Sequence, residues 1–407
     1  MDARRATAKG LEAVGDSLRH ERQIHAIAVG KAAVGMARAV DEMIGHALDA
    51  AVMTADVAGD TGAWRCFAAT HPQPSEASEA AGRAALELAD LSRRNDALLL
   101  VCLSGGASAM MAVPAPGLTL ADKTAVTRRL LLAGLNIGEL NLVRRHLSAV
   151  KGGQLAARAG RSMTLAISDV CVPVEDDPVV IGSGPTTGDD STFAEAIDVL
   201  RRHDVLSDLP PAVVAHLEAG AAGLIDGPVP SSDRRLSAAA YFIVASRHDA
   251  MRAAADTARQ LGYHTFVQKS PTVGEARDAA KIFLDGARGL ERPACVVASG
   301  ETTVHVRGSG RGGRNQEFAL ALVEGVSQLA PAALASIGTD GRDGPTDAAG
   351  AFVHDVMWPA LGLSGGDRVS AALQENDAYP LLDEIGALVR TGPTGTNVGD
   401  LQVLLLP

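Results

Sequence analysis

The chain has 407 residues, 47% of them apolar and 21% charged, with only 3% aromatic and a net charge of −11. That balance supports large cores in two or three domains. The acidity and the scarcity of rings exclude a nucleic-acid binder that stacks bases and a surface drawn to anionic lipid, so an anionic substrate needs a local cluster of Lys and Arg. Cys66, Cys102, Cys171 and Cys295 lie far apart without a CxxC pair. They read as reduced core residues of a cytoplasmic protein rather than a zinc site. The first residues lack the apolar centre of a signal peptide, and no apolar run reaches membrane-spanning length.

Residues 4–21 have helical composition. Ile24–Val29 is a short strand that runs into Gly30-Lys31, and helical spacing resumes through Met36, Val40 and Met43. Lys31 thus falls at a strand-to-helix corner, where an open α/β sheet places its ligands. A cation in a first helical turn opposes the helix dipole, which points to a nearby anion; a solvated lysine is the alternative. Ala51–Val57 and Cys66–Ala69 are further strands, and a helix runs from Ser78 to Ser92. Between them His71, before a proline, reads as a hydrogen-bonding loop residue.

Leu98–Leu103 is an unbroken apolar run of the kind buried on both faces of a parallel sheet. It stops at Ser104-Gly105-Gly106-Ala107-Ser108, a glycine turn of the sort that holds phosphate through backbone amides. A plain connection is the alternative. No GxxxxGK[ST] motif occurs, and no GxGxxG follows the first strand.

Leu120–Ala133 and Glu139–Arg158 read as helices. The second carries Asn141, Arg144, Arg145, His146 and Lys151, with Arg144 and Lys151 on one face. Such a face is usually just solvated, but in so acidic a chain it is also suited to an anion. Thr164–Ile167 is a strand whose end places Asp169 in the ligand crevice. The Gly/Pro-rich loop 174–186 is of the kind that is mostly functional or disordered. IDGPVPSSDRR, at the end of 204–235, is predicted to be the linker between domains 1–230 and 236–407.

Beyond it, strands at 238–245 and 263–267 alternate with helices at 246–261 and 274–286, a second α/β pattern. Ala294–Ala298 is a strand ending in Ser299-Gly300-Glu301. Arg307 to Glu317 interleaves four glycines with three arginines before a helix, which makes an anion site; a flexible loop is the alternative. Ala333–Ile337 ends in a loop with Asp340, Asp343 and Asp347, acids suited to a hard cation but without calcium-hand spacing. Thr391–Asn397 precedes the last strand, Leu401–Leu406.

In this order SGGASA, NLVRRHLSAVKGGQLA, AISDV, GSGPT, SGETTV, GRGGRNQEFAL, GTDGRDGPTDAAG and TGPTGTNVGDL resemble the motifs of the type-2 glycerate kinases. The resemblance covers nearly the whole chain. It implies two α/β domains, an N-terminal Rossmann-like parallel sheet and a C-terminal MOFRL domain, with the active site in the interdomain cleft. It also implies transfer of the γ-phosphoryl of ATP, with Mg²⁺, to D-glycerate, giving 2-phosphoglycerate. The family's essential lysine and arginine fall on Lys31 and Arg314, and Asp169 joins them as catalytic. Ser104, Gly105, Gly106, Ser108, Lys151, Gly300 and Glu301 are assigned to the nucleotide. Asn315, Glu317, Asp340 and Asn397 are assigned to the substrate, and Asp169 and Asp340 to the metal. Small molecules are the expected partners, with no nucleic acid and no membrane; a homodimer is allowed.

Ala107 stands where a third glycine is common, Ser75 where an aspartate is usual, and Gly300 alone where two glycines are common. Val172–Glu175 precede Asp176-Asp177. Two rivals stand beside the kinase. A hydroxypyruvate reductase needs a nicotinamide site, against which the missing fingerprint counts. A non-catalytic binder of small sugar acids would not need Lys31, Asp169, Arg314 and Asn315 together.

Overall fold

The computed structural model describes residues 2–55 and 64–407. They form two compact units, Asp2–Ala245 and Ser246–Pro407. In the first, strands β1 (Ile24–Val29), β2 (Leu48–Ala55), β3 (Trp64–Ala68), β4 (Leu98–Ser104), β5 (Ser162–Ile167) and β6 (Ala239–Ala245) build one sheet. Its order is β3-β2-β1-β4-β5-β6, and every pairing is parallel. The expected strand Ala51–Val57 begins earlier, at Leu48, and its part beyond Ala55 lies outside the described residues.

β1 and β4 are buried along their whole length. Ile27, Val29, Leu99, Val101 and Leu103 pack with Leu86 and Leu88 of the helix Glu76–Asn95. Continuous apolar runs are what a strand covered by helices on both faces requires. The chain order reverses between β1 and β4, so the ends of these two strands flank the topological switch point of a doubly wound sheet.

Three expectations are corrected here. The helix expected over Glu139–Arg158 is two helices, Ile137–His146 and Gln154–Ala159. Between them Gly152 and Gly153 take φ of 58° and 77°, a left-handed backbone that glycine adopts without strain. Lys151 therefore sits in a turn and does not share a helix face with Arg144. The end of the first unit also lies beyond the expected linker, although the stretch before that linker is helical, as its composition suggests. Helix Pro211–Ala221 buries Val213 and Leu217 against Val143, Phe193 and Leu200. The first unit ends only at Ala245, because β6 completes its sheet on β5. Cys66 is exposed rather than part of the core, and none of the four cysteines is in a disulfide.

The second unit contains β7 (His264–Val267), β8 (Thr272–Glu275), β9 (Ala294–Thr303), β10 (Ala333–Gly338), β11 (Gly350–His354), β12 (Leu388–Val389) and β13 (Asp400–Leu406). The sheet order is β12-β11-β10-β13-β9-β7, with β8 also on β9. β7 and β8 are parallel to β9, and the remaining pairs are antiparallel. Helix Arg314–Gln328 lies against this sheet, with Phe318 edge-on to Phe283 at 5.7 Å. Among the described residues no helix is long and apolar enough to cross a membrane.

Candidate active site

The corners after β1 and β4 are built as one piece. Ser104 Oγ donates to Val29 O (3.2 Å) and accepts from the Ala32 amide (3.1 Å), while the Lys31 amide donates to Gly105 O (2.9 Å). Gly30, at φ 114°, makes this possible: a Cβ there would come within 2.3 Å of Ser104 Oγ and 2.5 Å of Ser104 O. Gly30→Ala is expected to lower stability by about 1–3 kcal/mol through overpacking and backbone strain. An unchanged urea midpoint would show that the two corners do not interlock.

Gly106 has φ 88°, and a Cβ on it would lie 3.5 Å from Lys31 Cγ and 3.4 Å from the His71 ring. Lys31 therefore lies alongside the glycine turn, half-buried, with His71 close by. The Gly106 and Ala107 amides have no carbonyl partner among the described residues. Ser104, by contrast, is fully buried and acts as the tie between the two corners rather than as a ligand surface. Asp169 lies half-buried just beyond β5, on the same edge of the sheet.

Lys151 is buried, with Nζ donating to Ser108 O at 2.8 Å and lying 2.7 Å from Ser108 Oγ. Ser108 Oγ also meets Ser183 Oγ at 2.9 Å. This brings the GSGPT loop against the glycine turn, and Gly182 packs on Leu103 and Ala107. Sequence reasoning assigned no part to Ser183, although the motif that carries it was noticed.

In the second unit Arg314 opens its helix with Gly313 as N-cap. Its guanidinium grips Asp400 bidentately, Nε to Oδ2 at 2.7 Å and Nη2 to Oδ1 at 3.0 Å, and its Nη1 donates to Glu301 Oε1 at 2.7 Å. Burial pushes the Asp400 carboxyl up to about 6, against the pull of Arg314. Asp343 caps the same helix from a distant loop, accepting from the Asn315 amide (3.1 Å) and the Gln316 amide (2.8 Å). A Cβ on Gly313 would fall 2.3 Å from Asp343 Cγ. Neither acid was singled out beforehand as a partner of this helix. The acid after glycine in NVGDL was the available signal for Asp400.

Several expected roles change on this geometry. Asn315 is buried, donating to Asp400 Oδ1 (3.0 Å) and accepting from Ser336 Oγ (2.7 Å). Glu317 is 1% exposed, with Oε2 taken by Arg277 Nε (2.7 Å) and Oε1 by Asn376 Nδ2 (2.8 Å). Both have their polar ends engaged inside the unit, where they brace Arg314's helix. The glycines of the arginine loop serve close packing: Gly308 and Gly310 lie on the backbone of 375–377, and Gly313 admits Asp343. Residues 308–313 do spell GxGxxG, but these glycines are used up by that packing. Gly300 is a crossing point, where a Cβ would meet Thr272 O at 2.1 Å. Glu301 is half exposed and engaged by Arg314. Asp340 Oδ1 accepts from the Arg342 amide (3.0 Å), and Asn397 Oδ1 accepts from the Gly399 amide (3.3 Å). Among the described residues no three His, Cys, Asp or Glu side chains gather as a metal cluster.

Residues 1–218 match the family described as Domain of unknown function (DUF4147), and residues 294–400 match the MOFRL family. Glycerate 2-kinase of Pyrococcus horikoshii is 36% identical, over 94% of this chain and 87% of its own length. A crystal structure of glycerate kinase from Thermotoga maritima superposes with a TM-score of 0.85 at 33% identity, covering 100% of this chain and 97% of that one. The chain belongs to the type-2 glycerate kinase family. An Agrobacterium vitis relative that carries the name hydroxypyruvate reductase is 39% identical over 93% of this chain and 98% of its own.

The departures from the family's motifs have local explanations. Ala107 opens the short helix Ala107–Met110 and needs no left-handed backbone, so its methyl group is accommodated. Ser75 is the N-cap of helix Glu76–Asn95, with its amide donating to Ser78 Oγ (3.0 Å). Serine and the family's aspartate are both strong caps. Ser299, before Gly300, donates its hydroxyl to Asp400 O at 2.6 Å and so adds a tie to the arginine's own partner.

Proposed function

We propose that this member of the family transfers the γ-phosphoryl of ATP to D-glycerate and forms 2-phosphoglycerate in the cytoplasm. Its relatives' activities support a kinase acting on a small hydroxy acid. The observation that carries the assignment to this chain is the pair of interlocked glycine corners at the switch point, with Lys31 beside open amides. Phosphoryl transfer depends on positioning and charge stabilisation rather than on covalent chemistry by the protein. Gly105, Gly106 and Ser108 are the groups assigned to the nucleotide phosphates, and Lys31 to the transferring phosphoryl. Arg314, a planar fork already aligned by two carboxylates, is assigned to an oxyanion of the reactants.

Mg²⁺, when bound, neutralises charge on the phosphates. Asp169, a half-buried carboxylate at the end of a parallel strand, fits as its ligand, with Asp340 the second acid so assigned. A kinase Mg²⁺ keeps several waters and needs only one or two carboxylates, so no three-residue cluster is required. Three of the four cysteines are buried and none is in a disulfide, in keeping with a reducing compartment.

The assay is ADP release on mixing the protein with Mg-ATP and D-glycerate, followed by enolase without phosphoglycerate mutase. Immediate enolase turnover is expected, because enolase takes only the 2-phosphate. ADP release with no enolase signal would reassign the product to 3-phosphoglycerate. NADH consumption with hydroxypyruvate, without ADP release from glycerate, would replace the kinase by a reductase.

A further inference from the structure

Three cations of the first unit gather in or near the interior without an ion-pair partner. Lys151 is 1% and Lys123 7% exposed, and Arg144 is half-buried. Among the described residues none of them forms an ion pair, whereas the neighbouring Arg145 is neutralised by Asp189. A buried charge without a partner is costly, and the fold carries several at one place. Lys123 Nζ has only the carbonyls of Val113 (3.4 Å) and Leu147 (3.1 Å).

The other two cations are joined by one polar chain. Lys151 Nζ meets Ser108 Oγ (2.7 Å), which meets Ser183 Oγ (2.9 Å). Ser183 Oγ donates to Asn141 Oδ1 (3.4 Å), which also accepts from Arg144 Nη1 (3.3 Å). Ser108 is half-buried and stands in the glycine turn, so the chain starts inside the protein and surfaces where Gly106 presents its amide. Hydroxyls, an amide and two cations, with no acid among them, are the donor set of an anion site.

We propose that Ser108, Ser183, Asn141, Arg144 and Lys151 form a preorganised oxyanion site, and that Lys151 takes up a proton as the anion arrives. Two ligands of the proposed reaction carry this chemistry, the terminal phosphoryl of the nucleotide and the carboxylate of glycerate. The glycine turn beside Ser108 favours the phosphoryl. The naming of these two ligands rests on the kinase function proposed above; the site itself does not.

The proton follows from the surroundings. Burial, and then Arg144, Lys123 and Arg145, hold Lys151 well below the usual lysine range. Burial and Arg144 push Lys123 down to about 7, with Glu79 opposing. His146, on the helix of Arg144 and Arg145, is also held low, chiefly by burial. Of the acids on this side, Asp189 is occupied by Arg145 and Glu79 by Arg83. An arriving anion supplies the missing negative charge and raises the Lys151 pKa again. The proton comes from solvent and adds one N–H donor to the amine. Binding is therefore expected to weaken as pH rises, because the free lysine is then further from its charged form.

The experiment is calorimetric titration of the whole protein in two buffers of different ionisation enthalpy. It is run at about pH 8, where a phosphate ester is fully ionised. A non-hydrolysable ATP analogue with Mg²⁺, inorganic phosphate and D-glycerate serve as separate titrants. Buffer-dependent heats that show net proton uptake are expected with the titrant that occupies the site. Lys151→Met should abolish the uptake and weaken that titrant about ten- to hundredfold. Arg144→Gln removes a like charge from Lys151, so it should bind more weakly and take up a smaller fraction of a proton. This second variant decides the matter if Lys151→Met does not fold. Identical heats in both buffers for all three titrants, or unchanged uptake in the variants, would overturn the site. The kinase function fails on a different result, the absence of ADP release, which these titrations do not measure.

Discussion

Replacing Arg314 by alanine is expected to lower turnover on the order of 10³-fold or more, as removal of a charge from a phosphoryl-transfer centre does. The same change should cost about 3–5 kcal/mol of stability near neutral pH, because it strands a buried carboxylate. Asp400 is fully buried, and both its oxygens lean on the guanidinium. With the arginine in place, burial already raises Asp400 to about 6 from its ordinary 3.8. A group raised on folding contributes stability below its unfolded pKa and loses it as pH rises through the folded one. In the wild type that loss spans roughly pH 4 to 6. Without Arg314 the folded value rises further, so Arg314→Ala should be much closer to wild type at about pH 5 than at pH 7.5. Urea unfolding at the two pH values measures this. Equal losses at both would mean that Asp400 is not the residue left stranded.

The second large effect is expected at Lys31, with the opposite balance. Lys31→Met should reduce turnover on the order of 10³-fold while costing far less stability than Arg314→Ala, since it strands no fully buried carboxylate comparable to Asp400. The hydrogen bond that ties this residue to the glycine turn comes from its backbone amide, which the substitution keeps. The side chain is half-buried at the mouth of the corner and forms no part of the core. Near-normal ADP release from Lys31→Met, with an intact melting profile, would remove Lys31 from the chemistry.

The first unit was legible wherever local pattern decides structure. Ile24–Val29 came out of the sequence to the residue, and Leu98–Ser104 within one, because a strand covered on both faces is almost wholly apolar, His25 being the exception in the first. The sheet order was not readable strand by strand, since it depends on how separate crossovers stack. The long helix over Glu139–Arg158 misled because helical spacing continues through residues that a two-glycine turn removes from the helix. In the second unit the failures were of distance. Asp400 lies 86 residues from Arg314, and Asp343 is 28 from Asn315. Nothing local marks either pairing. Glu317 gives no local sign of its partners either: Arg277 and Asn376, which hold its two oxygens, lie far away in sequence. The glycines of 308–313 misled because close packing and anion binding call for the same residue.

β13 is made after every other strand of its sheet, yet it lies between β10 and β9. While translation proceeds, those two strands wait with open hydrogen-bonding edges, and Arg314 waits for Asp400, the first residue of β13. The first unit has no such delay, as its strands add outward from an early β1–β2 pair. A nascent chain is thus expected to carry one finished half and one sticky half until the ribosome has passed residue 406, which makes the second unit the place where a chaperone would be needed.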